Sequence, residues 1–148
     1  MQAAHLTQPA AREAVERLYR AFATQDVALL REAVTPDWEY LPEPPGQRHG
    51  PDQMIPIFED LASALPDMRI QILDMLVQDN RVGTRAEVSG TQSGPLMGIA
   101  ATKKPIRFAI HSFHELRDGR VAKTWHLEDW LSVFRQLDAV PQKIDPPV

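Results

Sequence analysis

Side chains that can accept or donate protons concentrate near the end of the chain, between residues 104 and 137. They are three of the five histidines and two adjacent carboxylates: His111, His114, His126, Glu128 and Asp129. A neutral imidazole suits proton transfer near pH 7 because its ordinary pKa is about 6.5. A carboxylate in an apolar pocket can do the same once desolvation has raised its pKa. Such groups could take a proton from a carbon flanked by carbonyls and return one to an oxyanion.

An Asp118-Gly119 dipeptide divides this stretch into two strand-like runs, residues 106–116 and 121–127. Asp-Gly between such runs predicts a β-hairpin with a type I′ turn, because both central residues of that turn need positive φ. A two-residue turn predicts these cross-strand pairs: Leu116 with Val121, His114 with Lys123, Ser112 with Trp125 and His111 with His126.

Side chains alternate across a strand, so the predicted hairpin has two distinct faces. The more apolar face, which we expect to line a pocket, carries Phe108, Ile110, Ser112, His114, Leu116, Val121, Trp125 and Leu127. The opposite face carries Arg107, Ala109, His111, Phe113, Thr124 and His126. The His111–His126 pair is therefore expected outside the pocket or at a dimer face. A bulge that shifts the register by one residue would exchange the two faces.

Composition favours one acidic domain spanning residues 1–148, with an ordered core from about residue 8 to 138. The chain has 43% hydrophobic residues, a formal net charge of -4 and no cysteine. It lacks the basic surface expected of a nucleic-acid partner, and no apolar run approaches the ~20 residues of a membrane span. The absence of cysteine excludes disulfides and thiol catalysis. With no signal-peptide pattern, we expect a cytoplasmic protein.

The predicted elements run from helices to strands. Three amphipathic helices are expected first, then antiparallel strands, then a short helix: Gln8–Thr24, Val27–Val34 and Asp52–Leu65; Asp37–Leu41, Met68–Val77, Arg81–Thr91 and the hairpin; Trp130–Leu137. Thr7, Asp26 and Asp129 are candidate N-caps. Such segregation predicts an α+β fold in which helices pack on one face of a curved antiparallel sheet, forming a cone with an apolar pocket at its open end.

Two segments carry a resemblance to a known family. Residues 90–106 read GTQSGPLMGIAATKKPI, and Phe113 to Leu137 contain Asp118-Gly119-Arg120-Val121, Trp125 and Asp129 at matching intervals. Over about residues 85–137 the chain resembles the SnoaL-like polyketide cyclases of the NTF2-like superfamily. The resemblance implies an NTF2-like α+β barrel of cone shape, with a pocket between sheet and helices and frequent dimerisation through the sheet.

The resemblance also implies an activity. Cyclases of this family close a ring by intramolecular aldol condensation of a polyketide ester, without a metal or an organic cofactor. A histidine on the first hairpin strand and an aspartate directly after the tryptophan are their polar pocket residues, the aspartate acting as acid and base. Here His126 follows Trp125, and Ser112 stands at the histidine position between His111 and His114. Asp138 replaces the family's final glycine.

The candidate site therefore combines residues of the hairpin with aromatic residues from the N-terminal half. The candidate catalytic residues are His114, His126, Asp129 and His111. The candidate substrate-binding residues are Trp125, Ser112, Trp38, Tyr40, Tyr19 and Phe108. Core packing explains each aromatic residue equally well, and helix capping explains Asp129. We expect no metal and no cofactor, a hydrophobic small molecule as ligand, and a homodimer that binds neither nucleic acid nor membranes.

Three functions remain open at this point. The first is a cofactor-independent cyclase, or a related lyase or isomerase, acting on a hydrophobic molecule rich in carbonyl groups. The second is a non-catalytic protein that binds a small ligand or a second copy of itself, which the missing aspartate after Trp125 favours. The third is an epoxide hydrolase of the same fold, which would need an Asp-Arg-Asp set with Arg107 as its strand candidate.

Overall fold

A computed structural model describes residues 7–43 and 45–140. Its helices are α1 (Gln8–Thr24), α2 (Val27–Ala33), α3 (Ile55–Ala64) and α4 (Trp130–Gln136), with a 3-10 turn at Pro51–Met54. Its strands are β1 (Val34–Leu41), β2 (Arg69–Gln78), β3 (Arg81–Thr91), β4 (Pro105–Arg117) and β5 (Arg120–Glu128). The α+β class and the helix-to-strand order are confirmed.

Local sequence signals fix the starts of two helices, α1 and α2. Thr7 Oγ1 accepts a hydrogen bond from the amide of Ala10 at 3.2 Å, and Asp26 caps α2 in the same way. A cap of this kind satisfies one of the helix's unpaired N–H groups. Two predicted boundaries are wrong: β1 begins at Val34 rather than Asp37, and the α-helical part of α3 begins at Ile55, after the 3-10 turn.

The five strands form one curved, unclosed sheet in the order β1-β5-β4-β3-β2. Strand β1 pairs with β5 in parallel, and the other neighbours are antiparallel. Helices α1 to α3 bury their apolar sides, with the concave face of the sheet, in one cluster that includes Val15, Leu18, Trp38, Phe58 and Val82. A second cluster lies against the loop before β4 and α4, and includes Leu65, Leu96, Phe108, Val133 and Leu137.

The β4–β5 hairpin has the predicted turn but not the predicted register. Asp118 and Gly119 have φ of 52° and 75°, as a type I′ turn requires, and Leu116 pairs with Val121. Glu115 then pairs with Lys123, so that Ala122 is an extra residue in β5. This β-bulge shifts every later pair by one residue.

The corrected register exchanges the faces of β5. Ser112 pairs with His126 and His114 with Thr124, where the sequence predicted Trp125 and Lys123 as partners. Packing explains the shift: Leu116 and Val121 are both buried, and the extra residue after Val121 lets Thr124 turn inwards as well. The concave face therefore carries Thr124, His126 and Glu128 in place of Trp125 and Leu127.

Candidate active site

A pocket lies between α1 and the concave face of the sheet. The centre of a water molecule can occupy only about 30 Å³ of it. Its walls are largely apolar and are supplied by α1, β1, β2, β4 and β5: Leu18, Tyr19, Phe22, Tyr40, Ile70, Ile110, Ser112, His114 and Thr124. This volume lies far below the roughly 300–1,000 Å³ of small-molecule sites, so the walls must move apart before a substrate enters. The pocket then offers such a molecule apolar surroundings and a few hydroxyl groups.

His114 lies at the centre of a buried polar network beneath this pocket. His114 is only 2% exposed to solvent. Nδ1 lies 3.0 Å from Thr124 Oγ1, and Nε2 lies 3.2 Å from the hydroxyl of Tyr19. Thr124 Oγ1 also accepts a hydrogen bond from the indole nitrogen of Trp38 at 3.1 Å, and the Tyr19 hydroxyl bonds closely to Thr84.

One direction of donation satisfies every member of this network. The indole N–H of Trp38 can only donate, so Thr124 accepts there and has its own proton free for Nδ1 of His114. His114 then donates from Nε2 to Tyr19, and Tyr19 donates to Thr84. Thr84 in turn donates to the carbonyl oxygen of Ser112 at 3.5 Å. The structure therefore favours a neutral His114 protonated at Nε2.

Burial keeps the network uncharged. Desolvation lowers the pKa of His114 to about 3, so its imidazole is neutral at physiological pH. Burial is also the main cause that raises the pKa of Tyr19, and its hydroxyl keeps its proton. Because both nitrogens of His114 already have partners, this histidine orients the pocket and is poorly suited to accept a proton from a substrate.

A second polar group lies beside the first on β5. His126 Nδ1 is 2.7 Å from Glu128 Oε1, and the two side chains are only 16% and 15% exposed. Tyr40 stacks on the His126 ring with centroids 3.7 Å apart and planes 4° apart. The Tyr40 hydroxyl donates to the same oxygen of Glu128 at 3.4 Å. In the part of the chain that the structure describes, His126 Nε2 is buried without a hydrogen-bond partner.

Several predicted site residues come together at the pocket. Tyr19, Tyr40, Ser112 and His114 line it, although they come from three different elements. Two other candidates have structural positions behind it. Trp38 is fully buried in the core, where its N–H is bound to Thr124. Phe108 is buried in the second cluster and packs against Trp130, with ring centroids 4.8 Å apart.

Three candidates lie elsewhere. His111 is exposed on the convex face, opposite Leu127. Trp125 is on that face too, where Lys123 Nζ lies 5.2 Å from its ring centroid, so its predicted place on the pocket face is wrong. Asp129 is exposed and caps α4 by accepting a hydrogen bond from the Ser132 amide at 3.1 Å. The capping interpretation of Asp129 is thus confirmed.

Sequence reasoning missed two residues of the site, Thr124 and Glu128. The signal was present, since Thr124, His126 and Glu128 alternate with the more apolar Trp125 and Leu127. Without the bulge, the alternation predicts Thr124 and His126 on the outer face. Their inward position is a consequence of the register, which the turn sequence alone does not set.

Two further types of site are not formed by the described residues. No group of three or more metal-binding side chains is found in residues 7–43 and 45–140. Arg107, which the epoxide-hydrolase alternative requires inside the pocket, is exposed and forms an ion pair with Glu87 at 3.3 Å. No helix in the described ranges is long and apolar enough to cross a membrane.

Solved structures share this arrangement of helices and sheet. TsrD from Streptomyces laurentii is 24% identical, with a TM-score of 0.83 over 91% of this chain and 99% of that chain. A SnoaL-like polyketide cyclase from Agrobacterium tumefaciens is 17% identical, with a TM-score of 0.71 over 93% and 99% of the two chains. These similarities show an NTF2-like α+β fold.

The family follows from the sequence profile of the SnoaL-like polyketide cyclases, which matches residues 12–137. The chain belongs to this family. IdmH from Streptomyces antibioticus, proposed to be a polyketide cyclase, is 26% identical, with a TM-score of 0.75 over 86% of this chain and 98% of that chain. A search of curated proteins finds no significant match.

Proposed function

We propose that this protein is a cofactor-independent cyclase, or a closely related lyase or isomerase, that acts on a small hydrophobic molecule rich in carbonyl groups. In the aldol form of the reaction, a base removes a proton from a carbon between two carbonyls. The resulting enolate carbon attacks a ketone carbon of the same molecule, and the new alkoxide takes up a proton. No atom is lost, so the product is an isomer of the substrate.

The observation that carries this proposal is a small apolar pocket lined with uncharged proton donors. Apolar walls hold the substrate out of water and can fold it so that the reacting carbons meet, which removes much of the entropic barrier to ring closure. Ser112 lines the pocket, and its hydroxyl can donate to the oxygen on which negative charge develops. Tyr19 lines the pocket too, but its own proton is directed to Thr84.

Family membership supports the same reaction class. The methylene of a poly-β-ketone is already acidic, so modest acid–base help and correct folding of the chain are sufficient. The ester of a linear poly-β-ketone is therefore the substrate class to test first. The small free volume of the pocket, about 30 Å³, favours the smaller members of that class.

The direct test is to incubate the protein with a series of such esters and to search for isomeric cyclic products by chromatography and mass spectrometry. Ser112→Leu fills the pocket and should abolish product formation. Ala109→Leu is the matched control, because Ala109 lies on the same strand with an exposed side chain. Binding of the esters without any product would instead support the non-catalytic ligand-binding alternative.

We also propose that two copies of the chain pair through the convex face of the sheet. An apolar row crosses this face from β2 to β5, made by Leu76, Gly83, Phe113 and Trp125. Leu76 and Phe113 are 77% and 69% exposed, and the Phe113 ring lies over Gly83. Exposed apolar patches of this kind typically mark an interface.

Charges around the row favour a second copy as the partner. Positive and negative side chains, joined in ion pairs, flank the row. They include Arg81–Glu115 and Arg85–Asp74. A surface with both signs of charge can complement itself across a two-fold axis. Analytical ultracentrifugation should find a dimer for the wild type and for Ile57→Lys, an exposed site on α3, and a monomer for Phe113→Lys. A monomeric wild type would contradict this interface.

A further inference from the structure

We infer that the general base of the proposed reaction is Nε2 of His126, and that Glu128 is the residue that positions it. This inference rests on the proposed function and assigns its proton-transfer step. The two residues are separated by one position on β5, so their side chains lie on the same face of the sheet. We call them the His126–Glu128 pair.

A hydrogen bond joins the two side chains of the pair. Glu128 Oε1 lies 2.7 Å from His126 Nδ1, and a carboxylate can only accept. The neutral imidazole therefore carries its proton on Nδ1 and leaves the lone pair of Nε2 available. When Nε2 takes up a proton, the adjacent carboxylate stabilises the imidazolium, as the acid of a catalytic triad does.

Among the residues that the structure describes, Nε2 of His126 is not committed to any structural hydrogen bond. It is buried and has no partner within residues 7–43 and 45–140. Buried nitrogen atoms are almost always hydrogen-bonded in folded proteins, and exceptions frequently have a chemical role. His114 shows the contrast, because both of its ring nitrogens have partners.

His126 lies beside two residues that line the pocket. His126 pairs directly with Ser112, which lines the pocket, and side chains in such a pair start only about 5 Å apart. One face of the His126 ring is covered by Tyr40, which also lines the pocket. Tyr40 additionally donates to Glu128, so it fixes both members of the pair. His126 is not itself one of the residues that line the pocket, but a substrate held against Ser112 and Tyr40 touches its two direct neighbours.

The proton balance of the step is complete within the pair and the substrate. Nε2 takes the proton from the carbon between two carbonyls, and the electron pair of the broken C–H bond passes into the enolate. After the carbon–carbon bond has formed, the imidazolium returns the proton to the alkoxide. His126 ends the cycle as it began it, and Glu128 neither gains nor loses a proton.

The test separates proton abstraction from ring closure. The probe is a linear ester with a single 1,3-dicarbonyl methylene, which can be deprotonated but cannot cyclise. Enzyme-dependent exchange of its methylene protons in D₂O is followed by ¹H NMR, and cyclisation of the longer esters is measured in parallel. We expect His126→Gln to lose both rates by roughly 100-fold or more, the range typical of a general base. In Glu128→Gln, the exchange and cyclisation rates should both fall by roughly 10-fold or more.

His49→Gln is the matched control, since His49 is exposed in the loop after β1, and both of its rates should stay at the wild-type level. Circular dichroism confirms that each variant is folded. Imidazole added to His126→Ala should restore exchange, which a purely structural role would not allow. Wild-type rates in His126→Gln, or no rescue by imidazole, would overturn the assignment while the cyclase function stands. A wild type that cyclises none of the esters would overturn the proposed function, and the base assignment with it.

Discussion

His114 and His126 lie on the same concave face, on neighbouring strands, yet their surroundings differ in kind. His114 is bound at both nitrogens by hydroxyl groups and is almost completely buried. His126 is bound at one nitrogen by a carboxylate and has the other buried without a partner among the described residues. The hydrogen-bond partners of a histidine, more than its presence in a pocket, therefore indicate whether its role is structural or chemical.

The largest expected effect comes from a change that disturbs both histidine environments together. Deleting Ala122 removes the bulge and would turn Thr124, His126 and Glu128 to the convex face. After the deletion, β5 cannot keep both its present packing and the hydrogen bonds of these three residues. We expect loss of cooperative thermal unfolding, measured by circular dichroism. Deleting Ala101, in the exposed loop before β4, should leave the transition nearly intact. A wild-type transition after deletion of Ala122 would contradict the register.

The next effect sharpens the contrast between the two histidines directly. His114→Ala removes a fully buried ring, and the hydroxyl groups that were bonded to it lose a hydrogen-bond partner. We therefore expect a loss of about 3 kcal/mol in the free energy of unfolding. His126→Ala removes a less buried ring with one bonded nitrogen and should cost about 1 kcal/mol. Urea denaturation measures both. Equal losses in the two variants would remove the distinction between them.

The pH dependence of stability provides a smaller effect of the same origin. The pKa of His114 is about 3 in the folded protein and about 6.5 in the unfolded chain. The unfolded chain therefore binds the proton first as the pH falls, and stability that is complete above pH 6.5 is lost towards pH 3. Between pH 7.5 and pH 5 we expect a loss of about 2 kcal/mol from this residue.

The comparison variant for this measurement is His114→Gln, which cannot be protonated in this range. Asp37, Asp67 and Asp138 have lowered pKa values because of hydrogen bonds with Arg117, Thr91 and Lys104, respectively, and they also destabilise the protein in acid. They are present in both proteins, so the difference between the two urea-denaturation curves isolates His114. A difference that does not change between pH 7.5 and pH 5 would contradict a neutral, buried imidazole.

The smallest effect tests the direction of the network around His114. Thr124→Val removes the hydroxyl that joins Trp38 to His114 and leaves a buried donor and an acceptor unpaired. We expect a loss of about 1.5 kcal/mol in the free energy of unfolding. Thr124→Ser retains the hydroxyl and should lose less. If the valine variant were as stable as the serine variant, the hydroxyl would not be a member of the network.

Much of the fold could be predicted because its signals are local. The N-caps at Thr7 and Asp26, the helical periodicities and the Asp118-Gly119 turn each depend on residues close in sequence. Residues lining the pocket, such as Tyr19, Ser112 and His114, followed from their chemical type together with the family resemblance.

The rest of the site could not be predicted because long-range packing determines it. The bulge at Ala122 lets Val121 pack in the core while Thr124 reaches Trp38, a residue far away in sequence. The sequence of the turn contains no signal for this long-range packing. Since one extra residue exchanges the faces of a strand, the predicted positions of Trp125 and His126 are wrong for the same reason.

The central claim is that His114 is structural and that His126 presents an available nitrogen. ¹⁵N NMR of the imidazole nitrogens tests it most directly, because the chemical shifts show which nitrogen carries the proton. At pH 7 the account predicts that His114 is neutral and protonated at Nε2, and that neutral His126 carries its proton on Nδ1 with Nε2 bare. His114 should remain neutral at pH 5. Protonation of His114 near pH 6.5, or a neutral His126 with its proton on Nε2, would contradict the account.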